Sequence, residues 1–163
     1  MRLLLLAMML AAAPLAAQAP ADFSGQWTSA PGAKGDMGSG FGSPIAISQD
    51  AKQLVIEQTL FSRYDLQPPV RYAFALDGSE SKNAVMIGHA TQVRTSRAAW
   101  DGAALRLTTT YPAIDPGSGK AFTTEVTYRL SLESPATLVI QATRAGVLGG
   151  QATTTRTVYQ KAG

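Results

Sequence analysis

The chain of 163 residues has no cysteine and a single histidine, His89. Without cysteine there is no disulfide framework and no thiol to carry a lipid, so the fold must stand on a packed core. The same scarcity excludes zinc centres built on several Cys or His ligands. One imidazole serves as a metal or haem ligand only where a cavity and a partner for its far nitrogen accompany it. No metal and no cofactor are expected. Charge is also sparse: Asp, Glu, Lys and Arg make up 15% of the residues, and the basic ones are scattered, with Arg94 and Arg97 the closest pair. A nucleic-acid footprint needs clustered positive charge along a groove, so no nucleic-acid partner is expected. Long stretches of 3.6-residue periodicity are missing as well, which excludes a helical bundle.

What is present starts with a leader, MRLLLLAMMLAAAPLAAQAPA. Arg2 precedes an apolar run from Leu3 to about Leu10, followed by small residues, which is the layout of a secretory signal peptide. The best small-x-small site is Ala19-Pro20-Ala21, with cleavage after Ala17 or Ala19 as alternatives. The apolar run is short of the ~20 residues of a spanning helix, and no later stretch could supply a transmembrane segment. The expected organisation is a signal peptide over 1–21 and one domain over 22–163, exported to the periplasm or the extracellular medium. Loss of Arg2 leaves thirteen basic against eleven acidic residues.

Past residue 22 the hydrophobic period is two. "VRYAFAL" puts Val70, Tyr72, Phe74 and Leu76 on one face. "AFTTEVTYRL" does the same with Phe122, Val126, Tyr128 and Leu130. Such alternation marks strands with one face in a core and one in water. Threonines, including the runs at 108–110 and 153–155, suit the solvated faces. The pattern predicts about ten strands, over 23–29, 45–49, 53–60, 70–76, 83–88, 91–100, 104–111, 121–131, 137–144 and 151–160.

The connections are unequal. In an up-and-down meander, the Gly- or Pro-rich links at 30–44, 61–69, 112–120 and 145–150 fall at one end, with the short link near His89. Tight turns at 50–52, 101–102 and 132–136 fall at the other, with 77–82. The expected fold is therefore all-β: an antiparallel meander forming a closed or nearly closed barrel with one open mouth and one sealed base. A two-sheet β-sandwich is the alternative.

Phe23 and Trp27 on the first strand, and Trp100 against the Asp101-Gly102 turn, gather toward the sealed end. Gly25 lets a neighbouring segment approach closely there. Gly25-Gln26-Trp27, near the start of the folded region and followed by a long loop, resembles the Gly-x-Trp signature of lipocalins and related calycin barrels. That resemblance implies a lipocalin-like barrel in which the Trp seals the base and a basic residue on the last strand packs over it. Arg156 is the candidate for that role, with Val158 or Tyr159 facing inward. "LDGSESKN" and "AAWDGAALRLTTT" are similar to segments of small exported bacterial proteins, which implies location and no activity.

Candidate chemistry is thin. Asp50, Asp77, Asp101 and Asp115 sit at turns, where an Asp side chain bonds nearby backbone amides. A sugar-hydrolysing pair would need two carboxylates converging in a cleft. Ser79 and Ser81 lack a Gly-x-Ser-x-Gly frame. "PGAKGDMGSGFGSP" lacks the Lys-Ser/Thr and following helix of a phosphate loop, and reads as a flexible loop or lid. Its Met37 and Phe41 are apolar contacts for a guest or the barrel rim. Strand direction brings Phe61, Tyr72, His89, Tyr111 and Phe122 toward the same mouth. An aromatic rim around an apolar interior is how small-molecule sites are built, although the same residues could simply fill a solid core. The expectation is a non-catalytic, exported binding protein for a small apolar or amphipathic ligand. The alternatives are an envelope or extracellular protein-interaction module with a solid core, its partner unspecified, and an enzyme or haem-binding barrel.

Overall fold

A computed structural model describes residues 19–30, 41–42, 44–58, 69–87, 90–115, 117–146 and 150–163. Residues 1–18 of the expected signal peptide lie outside the described residues, as do Met37, Phe61 and His89. The strands are β1 (Gly25–Ser29), β2 (Ile45–Gln49), β3 (Gln53–Gln58), β4 (Val70–Ala75), β5 (Ser81–Ile87), β6 (Ala90–Asp101), β7 (Ala104–Ile114), β8 (Ala121–Ser134), β9 (Thr137–Arg144) and β10 (Thr153–Lys161). All belong to one antiparallel sheet in the order β4-β3-β2-β1-β10-β9-β8-β7-β6-β5. The fold is a nearly closed up-and-down barrel and not a two-sheet sandwich.

Closure comes from the terminal strands: β1 meets β10 through Trp27↔Lys161, Thr28↔Gln160 and Ser29↔Tyr159. The seam falls mid-chain, between β4 and β5, which share no strand ladder. Side chains stitch it. Asn83, only 5% exposed, receives the Ala73 N–H at 2.7 Å on its Oδ1 and donates its Nδ2 to the Ala73 carbonyl at 3.1 Å. Ser81 Oγ accepts from the Ala75 N–H at 2.8 Å. One amide thus does for Ala73 what a neighbouring strand would do, because Asn carries the same donor and acceptor as a peptide unit.

Cross-strand partners share a face, so the registers define the interior. Trp27, Ile45, Leu54, Ile56, Phe74, Leu105, Leu107, Leu130, Leu138, Ile140 and Tyr159 are all buried there. Tyr159, not Val158, is the inward residue of β10. It is 1% exposed and donates its hydroxyl to the Gly42 carbonyl at 2.8 Å.

At the base the chain enters the barrel one step differently from expectation. β1 begins at Gly25, and residues 21–24 lie outside any strand. Gln49 holds them: its Oε1 accepts from Phe23 N at 3.2 Å and its Nε2 donates to the Ala21 carbonyl at 2.9 Å. Phe23, fully buried, stacks on Trp100 with centroids 6.1 Å apart, and its carbonyl accepts the Trp27 indole N–H at 2.9 Å. Both indoles therefore meet at one residue.

The cation over Trp27 is Lys161, with Nζ 5.4 Å from the ring. Arg156 faces the opposite way and pairs with Glu133 on the outside. The reason is phase: Tyr159 points inward, and side chains alternate along a strand, so Arg156 points outward and Lys161 inward. Gly25 makes room for this arrangement. Its φ of +149° is one that residues with a Cβ rarely adopt, and a Cβ there would stand 2.6 Å from Lys161 Cε.

Candidate functional site: the barrel mouth

The barrel is lopsided. β6 and β7 have 12 and 11 residues, whereas β1 and β2 across the barrel have 5 each, so at about 3.4 Å per residue one wall is more than twice as long as the wall opposite. β6, β7 and β8 form the tall side. Their inward positions change character along the way. Near the base they are Leu105, Leu107 and Leu130, fully buried. Midway comes a polar step, Ser96 against Thr109, whose hydroxyls bond at 2.9 Å in the interior. Toward the mouth the inward residues are Gln92 and Arg94 on β6, Tyr111 on β7, and Phe122 and Thr124 on β8, all half-exposed.

The floor beneath them is aromatic. Phe41 lies 3% exposed, with its ring centroid 4.6 Å from Tyr128, 5.3 Å from Tyr72 and 6.3 Å from Phe74. Of the two roles expected for Phe41, a contact for a guest or for the barrel rim, its burial sets aside the rim. It is a core residue sent into the barrel from outside the strands, and the Gly42 carbonyl beside it is tied to Tyr159. Burial of such a ring contributes about 1.5–3 kcal/mol. Tyr72, 9% exposed, stacks with Phe74 in the same floor. Of the seven residues expected to line a ligand site, the structure brings Phe41 and Tyr72 together in the floor and sets Tyr111 and Phe122 above them on the tall wall.

Arg94 and its setting were missed by sequence reasoning. β6 and β7 pair from Asp101↔Ala104 up to Thr95↔Thr110 and no further. Beyond that point Gln92 bridges them, donating its Nε2 to the Pro112 carbonyl at 2.7 Å. A strand residue directs its N and its carbonyl to the same side, so the ring nitrogen of Pro112, which has no hydrogen to give, also faces β6. β7 accordingly continues through Pro112 to Ile114, past the loop boundary expected at 112. Gln92 Oε1 in turn accepts from Arg94 Nε at 3.2 Å, and the Arg94 guanidinium lies 4.7 Å from the Tyr111 ring centroid. On β9, Arg144 pairs with Val126, a buried residue, and so shares the inward face.

The phenols of the floor respond to this setting. Burial is the leading cause that raises the Tyr72 pKa, opposed by Arg94. Burial likewise raises that of Tyr128, opposed by both Arg94 and Arg144. Tyr159 is pushed up to about 12, by burial first and then by Tyr128. These hydroxyls are neutral donors at physiological pH.

The turn carboxylates form no convergent pair. Asp50 accepts from the amides of Lys52 and Gln53 at 2.7 and 2.8 Å, and Asp77 from Ser79 N at 2.9 Å. Asp115 takes Gly117 N at 3.0 Å together with the Ser118 hydroxyl. Asp101 pairs with Arg129 at 3.6 Å. The first three serve their own turns, and Asp101 is engaged by a cation on β8. A groove of about 240 Å³ at the base is lined by Ala21, Asp101, Gly102, Arg129 and Leu132. Its one ion pair is internally satisfied.

No protein-family model matches this chain, and neither the curated proteins nor the solved structures compared with it gave a match.

Proposed function

We propose that this chain is an exported, non-catalytic binding protein that takes a small amphipathic molecule at the barrel mouth. The observation that carries the reading is the contrast along one wall: inward-facing side chains are sealed near the base and half-exposed near the mouth, over an aromatic floor. A guest would rest on Tyr111 and Phe122, above Phe41 and Tyr72, and not deeper, where Leu105, Leu107 and Leu130 are fully buried. Kinship with calycin barrels is part of the proposal; it rests on Gly25-x-Trp27, the cation over that Trp, and the meander. The test is a titration with N-phenyl-1-naphthylamine, a neutral dye that brightens in apolar surroundings. Saturable brightening is expected, weakened severalfold by Phe122→Ser at unchanged melting temperature. Absence of brightening would overturn the reading.

An interaction module is the second reading, favoured by one feature. Met86, Val93 and Ile114 are 66%, 51% and 69% exposed on the outer face of β5–β7, toward the same end.

A further inference from the structure

We infer that the guest carries a negatively charged group, a carboxylate, sulfonate or phosphate, which Arg94 and Arg144 receive at the barrel mouth. This rests on the mouth being the binding site and adds the chemical class of the ligand.

The distribution of ion pairs gives the first argument. Five are described, Arg71–Glu57, Lys82–Glu80, Arg97–Glu80, Arg129–Asp101 and Arg156–Glu133, and every partner is between 40% and 70% exposed. Outward-facing arginines thus commonly find a carboxylate. The two inward-facing ones, Arg94 and Arg144, have none among the described residues. Taking a guanidinium partly out of water without an anion is unfavourable, so two such groups on one concave face are arranged for a partner that comes from outside.

Preorganisation gives the second. The Pro112 carbonyl fixes Gln92, Gln92 takes the Arg94 Nε, and the Tyr111 ring lies against the guanidinium. This chain of contacts uses one of the five N–H groups of Arg94 and leaves both terminal nitrogens to offer a forked pair of donors, the geometry that suits a carboxylate or phosphate. Holding the fork in advance removes the ordering cost that a free arginine would meet on binding.

Polarity of the wall gives the third. On β6 and β7 the inward run Gln92, Arg94, Ser96, Thr109 and Tyr111 is polar or amphipathic, whereas the opposite wall presents Ile45, Ile47, Leu54 and Ile56. An interior divided in this way fits a molecule with a charged end and an apolar body. The neutral Tyr128 hydroxyl, within electrostatic reach of both arginines, is a further donor at the foot of the wall.

The experiment compares two dyes on one scaffold: 1-anilinonaphthalene-8-sulfonate, which is anionic, and N-phenyl-1-naphthylamine, which is not. The anionic dye is expected to bind about ten- to a hundredfold more tightly, the range that a charge-assisted contact supports. Its affinity should fall as sodium chloride is raised while that of the neutral dye holds. Arg94→Gln and Arg144→Gln should each reduce the preference and together abolish it. Arg106→Gln, on the outer face of β7, should leave it intact. Equal binding of the two dyes by the unaltered protein, or a preference that survives the double substitution, would overturn the anion inference and leave the mouth as a binding site. Failure of both dyes would overturn the mouth reading and this inference with it. The salt dependence is read on the unaltered protein, so the outcome does not hang on how a variant folds.

Discussion

Gly25 fixes the base through its backbone more than through its size. A Cβ at that position meets Lys161 Cε at 2.6 Å, but that atom belongs to the far part of a flexible side chain and can swing aside. The φ of +149° cannot be relieved so easily, and strain of this kind costs about 1–3 kcal/mol. Gly25→Ala should therefore lower stability by about that amount, and shortening Lys161 to Ala in the same chain should not restore it. Urea unfolding followed by tryptophan fluorescence checks both. Full recovery in the double variant would assign the effect to the clash. Much of this corner was legible in the chain: Gly25, Trp27, Phe23 and Trp100 belong together, as the alternation suggests. The cation was misassigned because β10 offers two phases, and period-two reasoning alone does not choose between Val158 and Tyr159.

At the level of strands, the mid-chain seam is the place where ordinary pairing is replaced. Asn83→Ala would strip Ala73 of a donor and an acceptor at once, leaving a part-buried peptide group unsatisfied at a cost of about 1–3 kcal/mol. Hydrogen exchange should show the Ala73 amide losing protection well beyond the change at β8–β9 amides such as Ile140, whose ladder is intact. Equal loss everywhere would mean the seam opens only with the whole barrel. Strand positions were largely readable: β2 and β9 run as the alternation and turns predict, and Gly102 sits at φ +61° in the expected tight turn. The end of β7 was not, because Pro112 signals a loop unless its missing donor happens to face a ladder that has already ended. The seam itself left no trace in the hydrophobic pattern, since Ser81 and Asn83 read there as ordinary polar residues. Phe41 was hidden for a related reason: a lone aromatic among glycines looks like surface chain until a vacancy in the core claims it.

For the molecule as a whole, three described tyrosines carry pKa values raised by burial, that of Tyr159 to about 12. A phenol whose folded value exceeds its unfolded value near 10 supports the fold fully below pH 10. That support is lost as pH climbs from 10 toward 12. Tyrosinate absorbance of the native protein near pH 11 should accordingly fall short of that of the urea-unfolded chain, and the urea midpoint should drop above pH 10. Complete ionisation near pH 10 in the native state would show that the floor of the mouth is open to water. The mouth was only half legible for a comparable reason: aromatic residues announce themselves in an alternating strand, whereas Arg94 and Arg144 differ from solvent-facing arginines only by the parity of their positions. Because the terminal strands zip together while the middle of the chain does not, sheet order is chain order advanced by four strands. A circularly permuted chain, opened between β4 and β5 and joined through its natural ends, would pair every strand with its successor. Among the described residues, the hydrogen bonds closing it would then be three from side chains, so the topological burden of folding would pass from the backbone ladder to Ser81 and Asn83.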